Sequence, residues 1–227
     1  AGAFLAAHFA LWITSLEHTS VASSVVLVTT TPLWVGLLAP FVLREPLTRR
    51  LALGILLALA GGVVVGLADA GGGIAAPRGG ALLGDLMALA GAWMMAGNLL
   101  VARRLRAGLG LLPYVFLVYG AAAVILLVLM AAAGQSFLGL SPATCLWIAL
   151  LALVPQLLGH TSFNWALRYL PASLVAVALL GEPVGSSALA AALLHEIAGP
   201  VTIGGAVLIL AGIAVVAWSS PAAAAEA

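Results

Sequence analysis

Residues 112–133 read LPYVFLVYGAAAVILLVLMAAA, a run without one charged side chain. A helix of that length rises about 33 Å, enough to cross a bilayer hydrocarbon core of about 30 Å. The run is apolar all round, whereas a transmembrane barrel strand alternates polar and apolar residues. The rest of the chain agrees with it. Of 227 residues, 64% are hydrophobic and only 7% charged, against roughly 25% charged in soluble proteins. The solvent of most of this surface is therefore lipid. A net charge of +1 without a basic stripe argues against a nucleic-acid partner. The single cysteine, Cys145, excludes an internal disulfide and any multi-cysteine metal site. All eight basic residues are Arg, and Ala, Gly and Val are heavily used, in the manner of GC-rich bacterial coding.

Working outward from residues 112–133, Pro, Gly and Arg punctuate the sequence into eight expected spans. They run about 1–16, 20–43, 51–68, 82–102, 112–133, 144–166, 171–194 and 200–219. Arginine placement orients them. Loops 44–50, 103–111 and 167–170 hold seven of the eight Arg; the intervening loops hold Arg78 alone. The positive-inside rule puts that side, and the C-terminal tail, in the cytoplasm.

The chain also matches itself. Residues 16–66 align without gaps on 167–217 with 14 identities, where composition alone gives about six. Pro32 falls on Pro183, Glu45 on Glu196, Gly54 on Gly205, and Ala60-Gly61 on Ala211-Gly212. The copies carry opposite Arg distributions, so the repeat is expected to be inverted, which needs an odd number of helices in each unit. The second unit, 82–220, then has five helices and the first, 1–69, has three. A Gly-rich linker (70–81) joins them and a tail (221–227) follows. About 65–70 residues forming two further helices are expected upstream.

The stretches Leu16-Glu17-His18-Thr19-Ser20-Val21-Ala22, Thr31-Pro32-Leu33, Leu43-Arg44-Glu45 and Leu53-Gly54…Ala60-Gly61-Gly62 resemble the first EamA domain of the drug/metabolite transporter superfamily. Ala166-Leu167-Arg168-Tyr169-Leu170-Pro171-Ala172-Ser173, Gly181-Glu182-Pro183, His195-Glu196 and Gly204-Gly205…Ala211-Gly212 resemble the second. The resemblance implies an all-α polytopic membrane protein with inverted five-helix repeats, here eight transmembrane helices of an expected ten. It also implies cytoplasmic termini, no cofactor, and transport of amino acids, metabolites or drugs, often outward.

Polar residues at membrane depth are the candidate substrate-cavity groups. Gln156, His160 and Asn164 recur every four residues, so one helix face carries all three. They either line a hydrated cavity or hydrogen-bond helices together. Glu182, beside Pro183, is a candidate for proton coupling or amine binding, or a neutral acid bonded to a neighbouring helix. Trp93 and Asn98 belong to 82–102, and Tyr119 reads as an interface anchor. His8 and Trp12, four apart, share a face suited to core packing or ligand contact. Pro32, Pro155 and Pro183 are expected helix kinks. Glu45 and Glu196 stand at helix ends as structural residues, with Gly54 and Gly205 as packing glycines. Gly54, Ala58, Gly62 and Gly66 form a small-residue stripe for helix packing, or for a homodimer contact.

The expected spans contain no Arg or Lys in their interiors, so a phosphorylated substrate lacks its cation there and a neutral, zwitterionic or cationic solute fits better. His195-Glu196 lacks the second His of a zinc-protease motif, and the glycines at 71–73 are not followed by Lys-Ser/Thr. The sequence reads as a secondary transporter in a bacterial inner membrane, an exporter rather than an enzyme. The competing reading is a non-transporting membrane module that assembles with partners.

Overall fold

The computed structural model describes residues 1–69, 81–136, 138–182, 184–185, 188–189, 192 and 199–218. The linker at 70–80, Pro183, Glu196 and the tail at 221–227 lie outside them. The described chain is all-helical: α1 (Gly2–His18), α2 (Val21–Val28), α3 (Thr31–Val42), α4 (Arg49–Asp69), α5 (Ala81–Arg106) and α6 (Leu111–Ala132). Next come α7 (Pro142–Leu151), a π-helix (Ala152–His160), α8 (Thr161–Ala166), α9 (Ala172–Leu179) and α10 (Pro200–Trp218).

The expectation of eight transmembrane helices is not met. Among the described residues five helical stretches are long and apolar enough to cross a membrane: Ser23–Val42, Ala81–Arg106, Leu111–Ala132, Pro142–Ala166 and Pro200–Trp218. The other three expected spans, 1–16, 51–68 and 171–194, are not among the five. α1 is only 17 residues long. α4 is 21 residues long and is not among the five. The described part of the seventh is the eight-residue α9. Counting apolar runs by their breakers thus gave three more spans than the described helices support.

α5 is the central strut. At 26 residues it rises about 39 Å, so its last turn, with Arg103, Arg104 and Arg106, overruns a hydrocarbon core of about 30 Å. α1, α2 and α3 pack along it. Leu5, Val35, Met95, Leu99, Tyr114, Val118 and Leu167 form the buried cluster around it. A second cluster joins α4, α9 and α10 through Leu51, Ile55, Ala58, Val177, Ile209 and Val216.

Lipid tails remove the hydrophobic drive between helices, so small residues that let backbones touch become the adhesive. A methyl on Gly61 would lie 2.5 Å from the Gly205 carbonyl and 2.7 Å from the Ile209 nitrogen. One on Gly54 would lie 2.8 Å from the Gly212 carbonyl. Partner numbers fall as α4 numbers rise, so α4 and α10 run antiparallel. The face that meets α10 is Gly54, Ala58, Gly61 and Val65. Gly62, a member of the expected stripe, has Thr29 Oγ1 at 3.8 Å as its nearest neighbour instead.

Pro32 occupies the first turn of α3, a position that proline's fixed φ suits. The chain turns just before it, at Thr29–Thr30. Shifted by 151 residues, Val21–Val28 becomes 172–179, the bounds of α9, and the turn becomes Leu180–Gly181.

Candidate functional site

α1 and the π-helix meet through rings. His8 is buried, and its Nδ1 donates to the Gly91 carbonyl at 2.9 Å. A carbonyl only accepts, so this bond fixes the tautomer of the neutral imidazole. The ring stacks on Trp12 at a centroid distance of 5.6 Å and tilts against Phe9 at 5.1 Å. Phe9 in turn meets His160 edge-on at 5.6 Å, and His160 meets Phe163 at 6.4 Å. Pro155 lies inside the π-helix. Wider i→i+5 winding changes the spacing that an α-helix would give to Gln156 and His160. Gln156 is half-buried, His160 joins the rings, and Asn164 turns into the core.

Asn164 belongs to a different set. Its Nδ2 donates to the Tyr119 hydroxyl at 3.1 Å, and that hydroxyl lies 3.2 Å from Thr161 Oγ1. Trp93, 47% exposed, meets Trp34 edge-on at 5.2 Å, and Trp34 Nε1 donates to Thr30 Oγ1 at 3.1 Å. Asn98 is buried and its Nδ2 lies 4.0 Å from Met95 Sδ. Among the described residues, Trp12 Nε1, Asn98 Oδ1 and the Tyr114 hydroxyl are buried without hydrogen-bond partners. Glu182 follows the Leu180–Gly181 turn and is exposed. The structure thus joins His8, Trp12 and His160, and separates them from the Asn164 and Trp93 sets.

Two tethers hold the ends of α5. At one, Thr19 Oγ1 donates to Asp85 Oδ1 at 2.7 Å. At the other, Arg103 Nε pairs with Glu45 Oε1 at 2.8 Å, and Arg103 Nη1 donates to the Leu167 and Arg168 carbonyls. Glu45 Oε2 accepts from the Ala172 backbone nitrogen at 3.0 Å, capping the start of α9. Arg106 is almost fully buried and donates from Nε to the Asn164 carbonyl and from Nη1 to the Leu109 carbonyl.

Sequence reasoning missed Phe9, Trp34, Phe163 and the tethering by Arg103 and Arg106. The first three are apolar residues in apolar helices, with nothing local to distinguish them. The arginines were read only as topology signals. Among the described residues no group of three or more His, Cys, Asp or Glu could hold a metal ion.

A protein of known crystal structure, 23% identical, superposes with a TM-score of 0.76 over 95% of this chain and 72% of its own, which shows a shared fold. No functionally curated protein matches the chain. The family model of the EamA-like transporter family matches residues 1–67 and 82–218. The chain is therefore a membrane protein that belongs to the EamA-like transporter family.

Proposed function

We propose that the chain is a secondary carrier that moves a neutral, zwitterionic or cationic small solute by alternating access. The ring cluster of His8, Phe9, Trp12, His160 and Phe163, spanning α1, the π-helix and α8, carries this reading. Aromatic faces attract cations and stack on planar solutes, and Trp12 Nε1 adds a donor that no protein group uses. A π-helix supports it further, because such segments recur at functional sites. Gln156, on the same π-helix, joins this cluster in the reading, Asn164 braces it through Tyr119, and Asn98 and Trp93 are further substrate-contact candidates outside it.

The reading extends to two related units, 1–69 and 82–220, packed antiparallel through α4 and α10. The coincident bounds of α2 and α9 under the 151-residue shift support it. The membrane is a bacterial inner membrane, with the Arg-rich end and the C-terminus cytoplasmic and transport directed outward. Glu182 is the proton-coupling or amine-binding group, and a homodimer is compatible with the apolar exterior.

The test is flux across proteoliposomes containing the chain, with amine, amino-acid and organic-anion solutes loaded in turn. Flux of a neutral or cationic solute is expected, falling about tenfold or more in H160A/W12A with the fold intact by circular dichroism. Selective organic-anion flux, or a cationic flux indifferent to H160A/W12A, overturns the assignment. For Glu182, E182Q is expected to flatten the pH dependence of uptake; an unchanged profile removes it from the coupling step.

A further inference from the structure

We propose that the cleft at the Arg-rich end of α5 binds the headgroup phosphate of an anionic phospholipid. The cleft, about 500 Å³, lies between the end of α3 and the last turn of α5 and is lined by Arg44, Glu45, Arg103 and Arg104 beside Val42 and Leu43. Its charges do not cancel. Both carboxylate oxygens of Glu45 are committed, one to Arg103 and one to the Ala172 nitrogen. Arg103 Nη1 donates to the Leu167 and Arg168 carbonyls. Glu45 and Arg103 thus form a closed neutral pair that serves as the wall of the cleft. Arg44 and Arg104 also face it, both exposed, and among the described residues neither guanidinium has a carboxylate or carbonyl partner. Two free cations in one concavity are a phosphate diester's complement.

The backbone supports the same reading. Arg44 has φ of 60°, the left-handed region that a residue bearing a Cβ seldom adopts. Such strain concentrates at ligand clamps, and here it sets the Arg44 side chain on the cleft. The apolar surface selects a lipid over a soluble phosphate compound. Leu37, Leu38, Phe41 and Val42 are all exposed on α3, with Phe41 at 86%, and they lead along the helix to the cleft. Acyl chains lie on that strip while the phosphate reaches the two guanidinium groups. Basic pockets at the membrane face of helical bundles bind acidic headgroups in this way.

The experiment is native mass spectrometry of the full chain in detergent, titrated with phosphatidylglycerol or phosphatidylcholine of identical acyl chains. Wild type is expected to retain phosphatidylglycerol preferentially. R44G/R104Q is expected to bind it about tenfold more weakly or worse; glycine suits the Arg44 backbone, so unfolding does not explain the loss. R49Q/R50Q removes the same charge outside the cleft and is expected to bind within about twofold of wild type. Equal retention of the two lipids, or an equal loss in R49Q/R50Q, overturns the site. Displacement of the lipid by an equal concentration of glycerol phosphate overturns the lipid assignment in favour of a soluble phosphate ligand. In unmutated protein, a photoreactive acyl chain on phosphatidylglycerol should crosslink within residues 37–44, and crosslinks confined elsewhere overturn the placement.

Discussion

Thr31 and Pro32 show how a single side chain completes a helix junction. Pro32 has no N–H, so the Val28 carbonyl four residues back loses its helical donor. Thr31 Oγ1 supplies one at 2.8 Å, while Thr29 and Thr30 make the equivalent bonds to the Val26 and Leu27 carbonyls. Leaving a carbonyl unpaired in a bundle costs about 1–3 kcal/mol. T31V, which keeps the shape and removes the hydroxyl, is expected to destabilise the protein by that amount. Adding P32A restores an N–H, so the double variant should recover part of the loss; strictly additive effects in thermal unfolding would break this account. The repeat partner of Thr31 is Glu182, which stands directly after the matching turn. The paired positions therefore carry a hydroxyl, Thr31, and a carboxyl, Glu182. That asymmetry was legible in the sequence. The junction chemistry was not, because three consecutive threonines bonding backward need backbone geometry to be seen.

At the scale of the element, the α4–α10 contact is decided by one residue of register. Gly61 is pressed against α10, whereas its neighbour Gly62 has nothing closer than 3.8 Å. G61A must push the two backbones apart and is expected to cost about 1–3 kcal/mol as overpacking. G62A has room and gains helix propensity, so its stability should stay level or rise by up to about 1 kcal/mol. Equal effects of the two substitutions on thermal unfolding in detergent would show that the helices do not meet on this face. Reading small residues every four positions gave Gly54, Ala58, Gly62 and Gly66, a line that parts from the α10 contact at Gly62. A helix turns every 3.6 residues, so the contact line follows Gly54, Ala58, Gly61 and Val65. The stretch 144–166 carries the same lesson in a harder form. Its Gln156, His160 and Asn164 spacing assumed α-helical winding throughout, and the π-helix at Ala152–His160 divides the three among different surroundings. Membrane character, the helical class and the family were legible because they rest on composition and repeated punctuation. Span count was not, because it depends on where helices begin and end.

Over the whole molecule, α5 is fastened at both ends by different chemistry. Asp85 accepts from Thr19 at one end; Arg103 and Arg106 donate to Glu45 and to backbone carbonyls of the loop and helix before α9 at the other. The basic end therefore has fixed partners as well as free cations. An orientation in which Arg103, Arg104 and Arg106 face the cytoplasm follows from the positive-inside rule and can be read directly by labelling. Cys145 is the single cysteine and is exposed, so C145A gives a clean background. Gln135, exposed in the segment between α6 and α7, and Ala107, exposed just past α5, sit at opposite ends of α6. In intact cells a membrane-impermeant maleimide is expected to label Q135C/C145A and to leave A107C/C145A unlabelled until the cells are permeabilised. A107C/C145A labelled first would reverse the molecule in the membrane. Both labelled in intact cells would mean that the α6 stretch, 22 residues of almost unbroken hydrocarbon, does not cross the bilayer. Either result would also move the Arg44–Arg104 cleft out of the leaflet where a positive-inside arrangement holds it.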